Sequence, residues 1–346
     1  MGTRRRRVSV KSGRSKLDKW DDLRMKVFSN PTQEEIKIAA EALKNGHLVA
    51  FPTETVYGLG ADATNEKAVS RIYSVKQRPV NHPLIVHISS ATQLDKWALD
   101  IPDYARKLAN EFWPGPMTLI LKRSELAKSF ITGGEESVGL RVPSNSLAIS
   151  LLNEFEKIGG QGIAAPSANK FGAVSATDAK SVVEELGDDL IATDLIIDDG
   201  ETEIGLESTV INCTTAKPSV LRPGAITSIM ISKLLNLNLE NDVNQEKVKT
   251  SGMFKSHYSP KTKVVFHRAA QEGEGLIALY EIDTPLGVHR ILAPKNIEEF
   301  ATVLYKSFRL ADKLKLSALV VDIPKGPGLA EAIKDRVEKA SAKDEF

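Results

Sequence analysis

The sequence has one cysteine, Cys213, and no long apolar run. A single cysteine excludes an intrachain disulfide and a zinc cluster of several thiolates, and it suits a reducing, cytoplasmic compartment. No stretch approaches the roughly 18 apolar residues that a membrane-spanning helix needs. The patterns G-x-x-x-x-G-K-[ST] and H-E-x-x-H are both missing, and the six histidines are scattered. We therefore expect neither a P-loop enzyme, nor a protein-built metal site, nor a membrane protein.

Charge is balanced over the whole chain of 346 residues but uneven along it. Lys and Arg number 46 against 45 Asp and Glu, so net charge by itself implies no partner. Residues 1–24, however, carry nine basic and three acidic residues. This arm could bind tRNA or another polyanion through phosphate contacts. We favour the simpler interpretation of a disordered tail, or of a start that belongs at Met25, because a short basic run is weak evidence.

The segment from His47 to Ile88 carries the strongest functional signal. An apolar strand is followed by the polar turn TETVYGLG, a helix, the basic pair of Lys76 and Arg78, and a second apolar strand that contains His87. Hydroxyl and carboxylate groups destabilise a fold when buried without partners, so this turn is expected to line a site. Hydroxyl groups thus follow the first strand, and basic residues precede the second. Together they predict a pocket for a polyanion beside a small polar molecule.

Alternation of apolar and polar segments predicts an α/β (α+β) protein with a twisted mixed sheet. A first helix is expected to start within residues 30–34 and to end at Asn45-Gly46. The further strands predicted in the first domain are 47–51, 84–88, 117–122, 138–142, 162–165, 194–198, 208–213 and 219–222. The further helices predicted there are 65–76, 102–112, 146–157, 177–186 and 226–235. We expect this first domain to span residues 25–236.

The second half of the chain changes in composition. Residues 237–262 are polar and lack a helical period, which predicts a linker between domains. Residues 263–346 then predict a small α/β domain, with strands at 264–266, 290–292 and 318–322 and helices at 296–315 and 328–341.

Several motifs have two interpretations. Gly58-Leu59-Gly60 fits a loose dinucleotide fingerprint, but it follows a polar turn instead of a strand, so we reject it. From spacing alone, Lys76 and Arg78 favour a solvated helix end over a triphosphate contact. His87 slightly favours a core histidine. Arg141, inside the apolar VGLRVP, indicates a buried anion partner, because arginine is seldom buried without one.

Taken together, these strings resemble the threonylcarbamoyl-AMP synthase (YrdC-like) family. The resemblance extends over FWPGPMTLIL, SVGLRVPSN, APSANKFGAVSAT, GLESTVI and VLRPG, in the family's order, and the SHYSP segment with its tail resembles the family's two-domain form. It implies a YrdC-like catalytic domain, a linker that covers the active site and a Rossmann-like C-terminal domain. The implied reaction makes threonylcarbamoyl-AMP and pyrophosphate from L-threonine, bicarbonate and ATP.

The resemblance also implies the site residues, with Lys76 and Arg78 as the catalytic cations. The residues implied to bind ATP are Lys76, Arg78, His82, Ser137, Ser167, Asn169, Ser175, Arg222, His257 and Tyr258. Those implied to bind threonine are Thr55, His87, Arg141, Ala165 and Ser208. Mg²⁺ is expected to be held mainly by the phosphates of ATP. The chain departs from the family's pattern at Ser251, Phe254 and Ser256 in the linker, and at His82, where several members have asparagine.

Two rival functions stay open at the level of sequence. The first is a double-stranded RNA binding module, with a basic surface and no catalysis. The second is a carbamoyltransferase that acts on another acceptor. For the synthase, the resemblance implies a nucleotidyltransferase whose product passes to a tRNA threonylcarbamoyl transferase, with RNA contact through a basic surface. Threonine-dependent release of pyrophosphate from ATP separates the synthase from an RNA-binding module.

Overall fold

The structure is a computed structural model that describes residues 25–237 and 257–342. The predicted basic arm and most of the predicted linker lie outside these residues. The described chain forms one ten-stranded and one four-stranded sheet, with helices packed on both. The predicted mixed α/β architecture with a second, smaller α/β unit is therefore confirmed.

The larger sheet is mixed, as the short spacing between strands predicted. Its strands are β1 (Lys26–Ser29), β2 (Val49–Phe51), β3 (Gly58–Asp62), β4 (Ile85–His87), β5 (Met117–Lys122), β6 (Ser137–Arg141), β7 (Ile163–Ala164), β8 (Leu195–Asp198), β9 (Thr209–Asn212) and β10 (Ser219–Arg222). Their order across the sheet is β1-β8-β2-β3-β7-β4-β6-β5-β9-β10. β4 and β6 are parallel neighbours, with β4 also antiparallel to β7.

Helices flank this sheet, and most of them begin at a side-chain cap. They are α1 (Gln33–Lys44), α2 (Glu66–Lys76), α3 (Leu94–Trp97), α4 (Asp103–Phe112), α5 (Ser129–Thr132), α6 (Ser146–Lys157), α7 (Ala179–Leu186) and α8 (Ser228–Leu235). Thr32 and Glu35 form a reciprocal capping box on α1, and Asn65 accepts from the Ala68 N–H to start α2. None of the helices in the described part of the chain is long and apolar enough to cross a membrane.

The TETVYGLG segment differs from the prediction, because its glycine end forms β3 and is not part of a turn. A Cβ atom on Gly60 would lie 2.8 Å from side-chain carbons of both Phe51 and Ile163. Only glycine allows this close approach between neighbouring strands. The prediction missed β3 because glycine is otherwise unfavourable in a strand interior. The short strand β1 and the short helices α3 and α5 were missed as well.

The smaller sheet is entirely parallel, in the order β11-β14-β12-β13. Its elements are β11 (Lys263–Val265), β12 (Gly275–Ile277), β13 (His289–Leu292), α9 (Ile297–Leu314), β14 (Ala318–Val321) and α10 (Leu329–Ser341). The sequence missed β12, whose three residues include Gly275, a residue type that is depleted in strands. Parallel strands require crossover connections, which makes this unit Rossmann-like.

The two units contact each other through both apolar and charged side chains. Val56, Val174 and Leu206 of the larger unit join the apolar core of the smaller one. One face of α9 also makes polar contacts with the larger unit, through Thr302 to Glu203, Lys306 to Glu201, Arg309 to Glu185 and Lys313 to Glu184. Residues spaced by three and four positions share one side of a helix, so α9 contacts the larger unit along its length.

Candidate functional site

A cavity lies at the boundary of the two units, with roughly 630 Å³ of empty space that includes open solvent. Side chains from the ends of α2, β4, β6 and β10, together with the segments before β3 and β9 and after β7, converge on it. The predicted residues that line it are Thr55, Lys76, Arg78, His87, Arg141, Ala165, Ser167, Asn169, Ser208, Arg222, His257 and Tyr258. Tertiary structure thus brings together most of the residues that the sequence singled out.

Three predicted residues are not among those that line the cavity. The His82 ring lies 5.1 Å from the ring of Phe171, which does line it. Ser137 begins β6 and pairs with Lys122. Ser175 is buried, and its hydroxyl lies 2.5 Å from Glu207 Oε1, to which it donates. Contacts of these three with ATP therefore stay predictions.

The ends of β4 and β6 place His87 and Arg141 side by side, as partners in the parallel register. Arg141 is only 4% exposed. Its Nη2 atom lies 2.8 Å from Glu54 Oε1, yet Nε and Nη2 make no hydrogen bond within the described residues. Glu54 is itself held by the Ser144 N–H at 3.1 Å. A buried guanidinium with unused donors attracts a carboxylate ligand.

The neighbouring His87 imidazole is neutral at physiological pH. Burial, with the charge of Arg141 as a second cause, lowers its pKa from 6.5 to about 3. Its Nδ1 atom has no hydrogen-bond partner among the described residues. A neutral ring beside a cation can accept or donate one hydrogen bond to a ligand without adding charge.

Lys76 is 2% exposed, and its side chain holds the loop after β7 in place. Its ammonium group donates to the backbone carbonyls of Ser167, at 2.6 Å, and of Asn169. Burial, and then the charge of Arg78, lower the pKa of this amine well below its usual value. Two carbonyls take up two of its donors, which leaves a further N–H for a ligand.

Arg78 follows Lys76 across a turn in which Gln77 is left-handed. Its guanidinium donates to the Pro83 carbonyl at 3.0 Å and lies 5.6 Å from the centre of the Phe171 ring. Burial lowers its pKa to about 10, so it stays cationic at neutral pH. The two cations that the sequence left open as a solvated helix end are therefore buried in the cavity wall.

Arg222 and Ser208 form a second polar cluster in the cavity wall. Arg222 donates to the Ser208 carbonyl at 3.0 Å and to its hydroxyl at 3.1 Å. The same hydroxyl lies 2.8 Å from Thr118 Oγ1. These bonds fix the side chain at the end of β10 against the start of β9.

Of the predicted linker, Leu237 and residues 257–262 are described, and His257 and Tyr258 among them are buried. The rings of His257 and Tyr258 lie 4.1 Å apart, and Tyr258 stacks on Tyr305 of α9 at 5.7 Å. Tyr258 belongs to the apolar core of the smaller unit. Tyr258 therefore packs as core although it lies in the polar segment that the sequence predicts as a linker. The departures at Ser251, Phe254 and Ser256 lie outside the described residues.

Of the residues that the sequence did not single out individually, Thr53, Phe171 and Glu207 line the cavity, and Glu54 pairs with Arg141. Thr53 Oγ1 bonds Thr55 Oγ1 at 2.8 Å and the Val56 carbonyl at 2.7 Å, which holds the TET turn. Glu207 lines the cavity in GLEST, a carboxylate beside an apolar strand. That is the kind of signal that identified Arg141, so it could have been found.

Buried cations, hydroxyls and a neutral imidazole meet at strand ends, at the boundary with a second α/β unit, and define an α/β protein with a polar, largely cationic cavity. Residues 41–224 match the family profile described as telomere recombination, and residues 226–342 match threonylcarbamoyl-AMP synthase, C-terminal domain. The chain belongs to the threonylcarbamoyl-AMP synthase family, whose members are enzymes.

Individual relatives are similar to this chain in sequence and in structure over nearly its whole length. The threonylcarbamoyl-AMP synthase of Pyrococcus abyssi is 39% identical over 89% of this chain and 94% of its own, and that of Bacillus subtilis is 35% identical over 89% and 93%. The crystal structure of P. abyssi Sua5 complexed with L-threonine is similar with a TM-score of 0.81 and 36% identity, covering 92% of this chain and 97% of that one. The family resemblance drawn from the sequence is therefore confirmed.

Proposed function

We propose that this chain is a nucleotidyltransferase, an L-threonylcarbamoyladenylate synthase that makes threonylcarbamoyl-AMP and pyrophosphate from L-threonine, bicarbonate and ATP. The observation that carries the proposal is one cavity with two kinds of cation. Arg141 has unused donors beside the neutral His87, and Lys76 and Arg78 are buried in the same wall. The first arrangement suits an amino acid carboxylate, and the second suits a polyphosphate.

The residues divide by ligand. Arg141, His87, Thr55, Ala165 and Ser208 would bind threonine, the arginine through its carboxylate. Lys76, Arg78, Ser167, Asn169, Arg222, His257 and Tyr258 would bind ATP, with His82, Ser137 and Ser175 at its margins. His257 and Tyr258 come from the end of the predicted linker, so they would cover the bound nucleotide and exclude water.

The chemistry needs positioning more than a nucleophilic side chain. The amine of threonine and bicarbonate form a carbamate with loss of water. A carbamate oxygen then attacks the α-phosphorus, the bond from that phosphorus to the bridging oxygen breaks, and pyrophosphate leaves. Lys76 and Arg78 would offset the negative charge that develops on the phosphates.

Mg²⁺ would enter with ATP. In residues 25–237 and 257–342 no three His, Cys, Asp or Glu side chains are grouped as metal ligands. We expect phosphate oxygens of ATP, and not a cage of protein side chains, to hold the ion. When bound, the ion would neutralise phosphate charge.

The product, a labile mixed anhydride, would pass to a tRNA threonylcarbamoyl transferase in the cytoplasm. Contact with RNA through the basic arm remains a prediction, since residues 1–24 lie outside the described part.

The test measures pyrophosphate release with ATP, threonine and bicarbonate, omitting each in turn. We expect release only when all three are present, with threonylcarbamoyl-AMP as the co-product. Release that is independent of threonine would contradict the proposal. No release, together with tight binding of double-stranded RNA, would favour the binding module, and carbamoyl transfer to another acceptor would favour the second rival.

A further inference from the structure

Glu207 places a carboxylate in the wall of a cavity that otherwise presents cations. It is 6% exposed and lies one residue before Ser208. An isolated negative charge at this point would repel the phosphates of a nucleotide, because charges interact strongly where water is excluded. Something must therefore balance Glu207 if ATP is to bind here.

Two residues of the smaller unit supply that balance. Arg336 of α10 donates from Nε to Glu207 Oε2 at 2.8 Å, and the Tyr305 hydroxyl of α9 donates to the same oxygen at 2.9 Å. Both side chains are fully buried. Ser175 of the larger unit donates to the other oxygen. Both carboxylate oxygens are thus occupied, and the partner that carries a full charge is Arg336.

Arg336 also braces the backbone of the nucleotide side of the cavity. Its Nη2 donates to the Pro223 carbonyl at 3.1 Å, directly after Arg222, and to the Glu207 carbonyl at 3.4 Å. The Tyr258 ring lies 5.2 Å from its guanidinium. One side chain of the smaller unit therefore contacts three segments that line the cavity.

Glu207 stays ionised in this setting. Burial by itself raises the pKa of a carboxyl group, but the charges of Arg336 and Arg222 outweigh it and lower the pKa of Glu207 to about 2. The pair is thus a fixed carboxylate with a fixed guanidinium. Arg336 also pairs with Asp335 at 2.5 Å, and Arg222 also acts on Glu207. Removal of Arg336 therefore leaves Glu207 buried with a smaller balancing charge.

We infer that Arg336 is a positioning residue for ATP: it neutralises and holds Glu207, which makes the C-terminal unit part of the nucleotide half of the site. The inference rests on the proposed function. It predicts unequal effects on the two ligands, because Glu207 without Arg336 repels the polyphosphate of ATP far more than threonine, a zwitterion without net charge.

The test is a double-mutant cycle on the full chain, read by calorimetric titration of ATP and, separately, of threonine. Arg336→Met should weaken ATP binding on the order of tenfold or more, with threonine affinity within about threefold of wild type. Glu207→Gln with Arg336→Met removes both charges and should recover most of the ATP affinity. Lys306→Met is the matched control, since Lys306 pairs at 2.6 Å with the half-exposed Glu201 in the same interface. It should leave both titrations unchanged.

Equal weakening of both ligands by Arg336→Met, or losses that simply add in the double variant, would overturn the inference and leave Arg336 a purely structural residue. If Arg336→Met alone does not fold, the double variant decides. ATP binding close to wild type supports the inference, and weak ATP binding or a failure to fold overturns it. These titrations need no turnover. A wild-type chain that binds both ligands but releases no pyrophosphate would contradict the proposed function and not this inference.

Discussion

Arg141 Nη2 and Glu54 Oε1 lie 2.8 Å apart in a pair of side chains that are almost wholly buried. The pair joins the end of β6 to the TET turn before β3. Glu54 balances the charge of Arg141, yet Nε and Nη2 of the arginine keep donors that no described residue accepts. The same guanidinium can therefore stabilise the empty fold and bind a carboxylate.

These two roles of Arg141 can be separated by mutation. Arg141→Met should cost about 3–5 kcal/mol in the free energy of unfolding, because Glu54 is left buried without its partner. Adding Glu54→Gln should recover most of that stability, but threonine should still fail to bind. Urea unfolding and threonine titration measure the two effects. Recovery of both properties in the double variant would show that Arg141 does not contact threonine.

Arg78→Ala should weaken ATP binding by roughly 10- to 100-fold, because a guanidinium that hydrogen-bonds a charged group is lost. Threonine affinity should change little. Arg106→Ala is the matched control, since Arg106 forms an exposed pair with Asp95 at 2.5 Å. Calorimetric titration of each ligand checks the prediction. An equal loss for ATP and threonine would point to a folding defect instead of a phosphate contact.

Tyr258→Phe tests whether the end of the linker covers the nucleotide. The Tyr258 hydroxyl has no hydrogen-bond partner in the described part of the chain, and burial, followed by Glu207, raises its pKa to about 12. The thermal midpoint should stay the same, because the ring keeps its stacking on Tyr305, while the yield of threonylcarbamoyl-AMP should fall. Tyr104→Phe, whose hydroxyl bonds the remote Thr215 carbonyl, should leave the yield unchanged. An unaltered yield in Tyr258→Phe would argue that its hydroxyl does not contact the nucleotide.

Stability should fall as the pH drops below about 6.5. His87 has a pKa of about 3 in the folded chain, against its ordinary 6.5. Between these values the unfolded chain binds a proton that the folded chain does not, so unfolding is favoured as the pH decreases. Thermal melts from pH 7 to pH 4 should show a shallower slope for His87→Gln. The exposed His289 on β13 provides the control, as His289→Gln. Identical slopes for wild type and His87→Gln would contradict the assignment.

Local signals in the sequence predicted most of the secondary structure. The capped, periodic segments became α1, α2 and α6, and the apolar runs became strands, because these patterns depend on neighbours along the chain. β3 was missed because its stability depends on residues that are far away along the chain. Gly58 and Gly60 are favourable there only because Phe51, Ala165 and Ile163 pack against them, and that contact comes from distant segments.

The candidate site shows the same division. Motifs by themselves indicated Arg141 as a buried cation and the TET turn as a lining segment, since their residue types are costly to bury without a ligand. By itself, the sequence singled out candidate residues for the chemistry, and its family resemblance sorted these candidates by expected ligand. Only the tertiary structure decided that Glu54 balances Arg141, that Lys76 braces the loop after β7, and that Tyr305 and Arg336 hold Glu207. Those partners lie up to 129 positions apart, and charge pairing in a buried site depends on distance in space, for which residue order gives no measure.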